Sequence, residues 1–263
     1  MKHLLKAAQS RADDVANVLL EFRRLNEIDT GIKDEYGWKF VNFSDLALRA
    51  VPIHSEANQQ HRIGLLYQEI GDVCNLQANL IHGGVLIRGC ITMGNIVVEQ
   101  GLVFGDGLAR AYQQESTKAK MPRIIIDPHL WRIFQGSRMM RRHDKFTEEW
   151  SYIKPYVYRD EDGCLFLNYL NDMRLNEEPA KYRTFLERHK EVISEHRQGL
   201  IGDKRTQEHK SRKNKIDWLI RYHDWWIDKF TEDPQYPEDP TLDRNKLMFD
   251  PAGGWYHGWW QWE

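Results

Sequence analysis

A chain of 263 residues, 41% hydrophobic and 29% charged, is long enough to bury a full core, as one domain plus an appendage. Its 37 Lys and Arg against 39 Asp and Glu give a formal net charge of −2, so the protein as a whole has no electrostatic reason to seek DNA, RNA or an anionic membrane. Cys74, Cys90 and Cys164 are odd in number and unevenly spaced, which fits reduced thiols in a cytoplasm rather than a disulfide frame or a zinc site, and no apolar run approaches the roughly 18 residues of a membrane span.

Leu4, Leu5, Ala8, Val15, Val18, Leu19, Phe22 and Leu25 recur mostly at helical spacing, so the opening residues, to about 30, read as an amphipathic helix and not as a signal peptide. Residues 38–41 and 46–51 read as short strands around Asn42-Phe43-Ser44-Asp45, a hairpin with Asp45 near its tip, closed by Pro52. A long helix over 57–82 follows and ends at Gly83-Gly84.

Residues 85–127 are the most informative stretch. Apolar runs broken by Gly89, Gly94, Gly101 and Gly105 predict two buried strands, a turn, a helix opened by Gly-Asp-Gly, and a third strand ending at Asp127. Beyond it come a short helix around 130–134, a hairpin of 156–158 with 164–167 about Asp160-Glu161-Asp162-Gly163, and two charged helices at 180–198 and 206–230. A Pro-rich segment and GGWYHGWWQWE close the chain. The order argues an α+β fold, an antiparallel-rich sheet covered by helices, with a helical carboxy-terminal extension. The expected divisions are 1–135, a hairpin-containing connector at 136–178, and 179–263.

Three segments carry a family resemblance. WKFVNFSDLALRAV, LIRGCITMGNIVVEQGLVFGDGLARAYQQE and the helix ending IDWLIRYHDWW resemble the class III nucleotide cyclases, and within them the bacterial Pycsar pyrimidine cyclases and their uncharacterised relatives. The likeness covers about residues 1–135 and implies a cyclase-like, ferredoxin-like core. It also implies a homodimer whose sites form between head-to-tail subunits. The reaction it implies joins the ribose 3′-oxygen of a nucleoside triphosphate to its α-phosphate and expels pyrophosphate, with Mg²⁺ or Mn²⁺ as cofactor.

By position, Asp45 matches the second metal aspartate of the family. The first belongs on an F-x-D-I-like strand before the opening helix, which this sequence starts within; the expectation is a missing amino-terminal strand, the alternative half a metal site. Asp13 and Asp14 lie within the helix and are poor substitutes. The family's ribose asparagine and phosphate arginine correspond to Ala109 and Gln113, on one helical face, with Arg110 rotated about 100° from Ala109. The base-selecting positions are Val41 and Leu102, an apolar pair that forms neither purine hydrogen-bond pattern, so UTP or CTP is the expected substrate. Arg88 is a candidate for the triphosphate. The resemblance implies that the cyclic product signals in bacterial defence against phage; a catalytically inactive cyclase-like binding or scaffolding protein is the competing expectation.

Each of these residues also has a plain structural reading. Asp45 could cap a tight turn, Arg88 could pair with a carboxylate, and the glycines could serve turns and close strand packing. The basic runs at 136–142 and 204–215 read as solvated, self-paired faces, because carboxylates accompany them. Cys90 reads as a core residue and His223 as part of an amphipathic helix. The aromatic tail stands equally as a docking peptide or as a cover for its own domain.

Overall fold

The structure, a computed structural model, describes residues 20, 37–43, 46–55, 63–99, 102–200, 206–232 and 243–249. Asp45, the aromatic tail and, apart from Leu20, the expected opening helix lie outside the described residues. The first hairpin pairs β1 (Lys39–Phe43) with β2 (Leu46–Ala50), with Phe43 opposite Leu46 and Lys39 opposite Ala50. It joins no other strand among the described residues.

Helix α1 (Leu65–His82) buries Leu66, Ile70, Cys74, Gln77, Ala78 and Ile81, the three- and four-residue spacing of a one-sided helix. It starts at Leu65 rather than at 57, because Gly64 has extended backbone at the cap. It ends where the glycines predict. Gly84 takes φ +88° and donates its N–H to Ile81, while Val85 donates to Leu80, a Schellman cap that a residue with a Cβ would strain.

Strand β3 (Gly89–Ile91) leads to β4 (Val97–Glu99) and β5 (Leu102–Phe104), which pair only with each other. Helix α2 (Asp106–Thr117) then returns the chain to β6 (Ile124–Ile126), parallel to β3 with Cys90 opposite Ile125. Helix α3 (Pro128–Gly136), α4 (Phe146–Ile153) and the hairpin of β7 (Val157–Arg159) and β8 (Leu165–Leu167) follow. The sheet order is β3-β6-β8-β7, with one parallel contact and two antiparallel ones. Helix α5 (Tyr169–Asn176), α6 (Pro179–Gln198), α7 (Gln207–Glu232) and α8 (Arg244–Leu247) complete the described elements.

The molecule is therefore α+β with mostly antiparallel pairing, as expected, and one expectation about the glycine-rich stretch is corrected. The sheet keeps a parallel pair, since the β4–β5 hairpin and α2 together make a connection long enough to cross over. The second strand of the glycine-rich stretch is not buried: it is the β4–β5 hairpin, and Val97, Leu102 and Phe104 face outward. A two-stranded ribbon has only one face to pack, so its alternate residues remain uncovered.

Hydrophobic residues from Leu66 to Met248 form one core cluster, so the segments expected as 1–135, 136–178 and 179–263 share an interior. The β7–β8 hairpin supplies half of the four-stranded sheet. Helices α6 and α7 pack over it with Tyr182, Phe185, Trp218, Tyr222 and Trp226, and the Trp226 indole donates to the Tyr182 hydroxyl at 2.6 Å.

One junction sets the start of α1. The fully buried Glu149 carboxylate accepts from the Gly64 N–H at 2.6 Å, from the Arg142 and His143 N–H groups at 3.3 Å, and contacts His143 Nδ1 at 2.6 Å. A Cβ on Gly64 would strike that carboxylate, the Met140 carbonyl and Arg141 Cα. Gly64→Ala is expected to cost about 1–3 kcal/mol in urea denaturation, the range of an overpacked site; a change below about 0.5 kcal/mol would show that the junction yields.

Candidate functional site

The hairpin that should present Asp45 is held by charge. Arg49 on β2 donates from Nε and Nη2 to the two oxygens of Glu69 on α1, each at 3.0 Å, and also reaches Asp72. Its guanidinium lies 4.4 Å from the centre of the Trp38 ring. A bidentate pair fixes angle as well as distance, so the strands on either side of Asp45 are oriented against α1. Val41 sits on β1 opposite Leu48 and is half-buried.

The β3–β4 connection crosses the start of α2 at backbone contact. A Cβ on Gly94 would meet Gly107, and one on Gly105 would meet the Asn95 carbonyl; Gly105 itself has φ +145°. The Asp106 carboxylate accepts from the Asn95 N–H at 2.9 Å. These glycines serve close packing, one of their two readings from sequence.

The packing leaves α2 with two unlike sides. Ala109, Tyr112 and Gln113 are exposed, as is Leu102 on β5; Leu102 and Tyr112 are 66% and 64% accessible. On the inner side, Arg110 Nε lies 3.9 Å from a buried oxygen of Asp127, at the end of β6. Asp127 also accepts from the Thr92 hydroxyl at 2.6 Å and the His129 N–H at 2.9 Å, which makes it the cap of α3. Arg110 is thus turned away from the Ala109–Gln113 face, as its rotation along the helix requires.

Arg88 lies apart from that face. It pairs with Glu115 of α2 at 2.5 Å, the carboxylate partner that one reading of the sequence gave it. It also lines a cavity of about 260 Å³, together with His196 from α6 and Arg212 and Lys215 from α7. Sequence reasoning missed these three, because the run at 204–215 reads as a solvated face and nothing local shows which of its cations turn toward β3. The other basic run behaves as read: Arg138 pairs with Asp144 at 2.5 Å.

Burial, with the Asp127 charge adding to it, pushes the Cys90 thiol up to about 12, so it stays protonated and is no nucleophile. No group of three or more His, Cys, Asp and Glu side chains placed to hold a metal is present among the described residues. Glu69 and Asp72, the carboxylates that bind the Asp45 hairpin, are both engaged by Arg49, so the described residues do not by themselves form a two-metal site. Among the described residues no helix is long and apolar enough to cross a membrane. Comparisons of this chain with protein-family models, with curated proteins and with solved structures yield no match.

Proposed function

We propose that this chain is a cyclase-like subunit of the Pycsar type, converting UTP or CTP to the 3′,5′-cyclic nucleotide and pyrophosphate in antiphage signalling. Its site is completed by a second copy, with Asp45 as the ligand for Mg²⁺ or Mn²⁺. The observation that carries this reading is the exposed apolar face of the β4–β5 hairpin and α2. Leu102, Phe104 and Tyr112 are each more than half accessible. Burying a Leu or Phe side chain is worth about 1.5–3 kcal/mol, so a second subunit covering this face gains strongly from it. The face includes Ala109 and Gln113, which the resemblance places at the nucleotide.

Arg110 favours a second reading. With that guanidinium directed at Asp127, the exposed face of α2 offers an alanine and a neutral amide where charge develops on a transferring phosphoryl group. A cyclase-like subunit that binds nucleotide without turnover, or scaffolds a partner, has that character.

The test is product formation from all four ribonucleoside triphosphates with Mn²⁺, in the native chain and in Asp45→Asn. The enzymatic reading expects a cyclic pyrimidine nucleotide, reduced at least a hundredfold in the variant. Product that survives Asp45→Asn would remove the metal role, and no product from either chain would leave the non-catalytic reading.

A further inference from the structure

Among the described residues the cavity beside Arg88 carries more positive than negative charge. Arg88, Arg212 and Lys215 border it, and the carboxylate that faces them among the described residues is Glu115, held by Arg88. Neither Arg212 nor Lys215 forms an ion pair among the described residues. Burial lowers the Lys215 pKa, and the nearby Arg88 and Arg212 charges lower it further while Glu115 opposes them. Three cations converging on one carboxylate repel one another unless an anion joins them.

The walls supply the second half of a binding site. His196 donates Nε2–H to the Gly84 carbonyl at 3.0 Å, and Arg188 donates from Nε to the His82 carbonyl at 3.1 Å, so α6 is tied to the turn that ends α1. Ile87, Pro122 and Ile216 also line the cavity, so it combines apolar and cationic surface. Small-molecule pockets have this composition, mostly apolar with a few placed polar groups, and typically measure about 300–1,000 Å³. At about 260 Å³ this one fits a compact ligand and not a polymer.

We propose that this cavity binds a small phosphate-bearing anion, its phosphate among Arg88, Arg212 and Lys215 and any apolar portion against Ile87, Pro122 and Ile216. Arginine suits the role because its fork donates to two phosphate oxygens at once, and lysine adds a point charge. The site draws on β3's approach and α7, not on the exposed face of α2, and it stands whether or not the chain is a cyclase.

Calorimetric titration of the full chain tests it, with pyrophosphate, with UMP, and with sulfate at matched ionic strength as the control. Saturable binding of pyrophosphate or UMP is expected, weakened at least tenfold in Arg212→Gln/Lys215→Met. Both substitutions lie on the cavity side of α7 and remove no ion pair among the described residues, so the thermal midpoint of the variant should match that of the native chain. Stronger binding of pyrophosphate would identify a free oligophosphate as the ligand, and stronger binding of UMP a nucleotide that also uses the apolar wall. Binding of neither probe, equal binding of sulfate, or undiminished binding in the variant would overturn the proposal. A chain that turns over no triphosphate but binds pyrophosphate through Lys215 would leave it standing.

Discussion

Arg123→Ala is expected to destabilise the protein by about 3–5 kcal/mol, the cost of leaving a buried charge without its partner. Arg123 is fully buried at the entry to β6, where its guanidinium meets Asp160 and Asp162 from the tip of the β7–β8 hairpin. Asp160 is itself 6% accessible and accepts from the Trp218 indole N–H at 2.9 Å, while the guanidinium lies 5.6 Å from the Trp218 ring centre. Strand, hairpin and α7 therefore meet at one cation. Burial alone would raise the Asp162 carboxyl, but the Arg123 charge together with hydrogen bonds from Cys164 and Arg123 holds it below its ordinary range.

Arg123→Met, which keeps much of the volume, should also be costly, because Asp160 would remain charged and buried. Adding Asp160→Asn to it should recover part of the loss, as coupled groups do in a double-mutant cycle. Urea denaturation of these three variants and of Asp160→Asn alone gives the comparison. Additive effects, or a loss below about 1 kcal/mol in Arg123→Ala, would show that the pair does not hold these elements together.

The second large effect is on acid stability. Tyr169, His189 and His223 form a buried chain: Tyr169 Oη to His189 Nε2 at 2.7 Å, His189 Nδ1 to His223 Nδ1 at 2.8 Å, and His223 Nε2 to the Leu247 carbonyl at 2.9 Å. A carbonyl only accepts, so His223 carries its proton on Nε2 and in the neutral form accepts at Nδ1. His189 must then donate from Nδ1 and accept at Nε2, where the Tyr169 hydroxyl donates. With both imidazoles neutral every bond in the chain is satisfied without charge. Protonating both would put two N–H groups face to face at the Nδ1–Nδ1 contact, and protonating one places a cation in a fully buried site.

Burial pushes His223 down to about 4, with the Leu247 hydrogen bond opposing and Lys190 adding to the drop. His189 is also pushed well down, by burial and then by His223. For a base with a depressed folded pKa, the unfolded chain takes up protons first as pH falls. Stability is complete above about 6.5, falls toward 4 and then levels. For His223 the loss is about 3 kcal/mol, at 1.36 kcal/mol per unit.

Asp172 works against this trend: burial raises it to about 6, so its native carboxyl gains a proton, and the fold gains stability, over much of the same interval. The informative quantity is therefore the difference from His223→Gln, in which the other titrations largely cancel. Between pH 7 and pH 4 the native chain should lose about 3 kcal/mol more than the variant in denaturant midpoints. Parallel pH profiles for the two proteins would mean that His223 is not held neutral.

Local patterns account for what was legible in the sequence. The β1–β2 pairing, the Asp160–Gly163 turn, the Gly83-Gly84 stop and the amphipathic spacing of α6 and α7 are encoded within a few residues, and each of these elements forms. The outward side of the β4–β5 hairpin was not legible, because an apolar run around Val97 or Phe104 looks the same whether its neighbour is core, solvent or another subunit. Nor was the pairing of Arg123 with Asp160, where a basic residue and an acidic turn 37 positions apart meet only through the register of β6 and β8. The candidate site divides likewise. The family resemblance nominated Val41, Arg88, Leu102, Ala109 and Gln113, whereas Arg212 and Lys215 share a cavity with Arg88 only through tertiary packing.

On the proposed reading, two copies joined through the exposed face of β5 and α2 form the catalytic unit. The most direct test is the specific rate of UTP and CTP cyclisation with Mn²⁺ across a range of protein concentrations, beside sedimentation velocity on the same samples, for the native chain and Leu102→Glu. Specific rate and dimer fraction are expected to rise together, and Leu102→Glu to move both curves to at least tenfold higher concentration. A rate independent of concentration in a monomer, or a stable dimer without cyclic product, would contradict this reading.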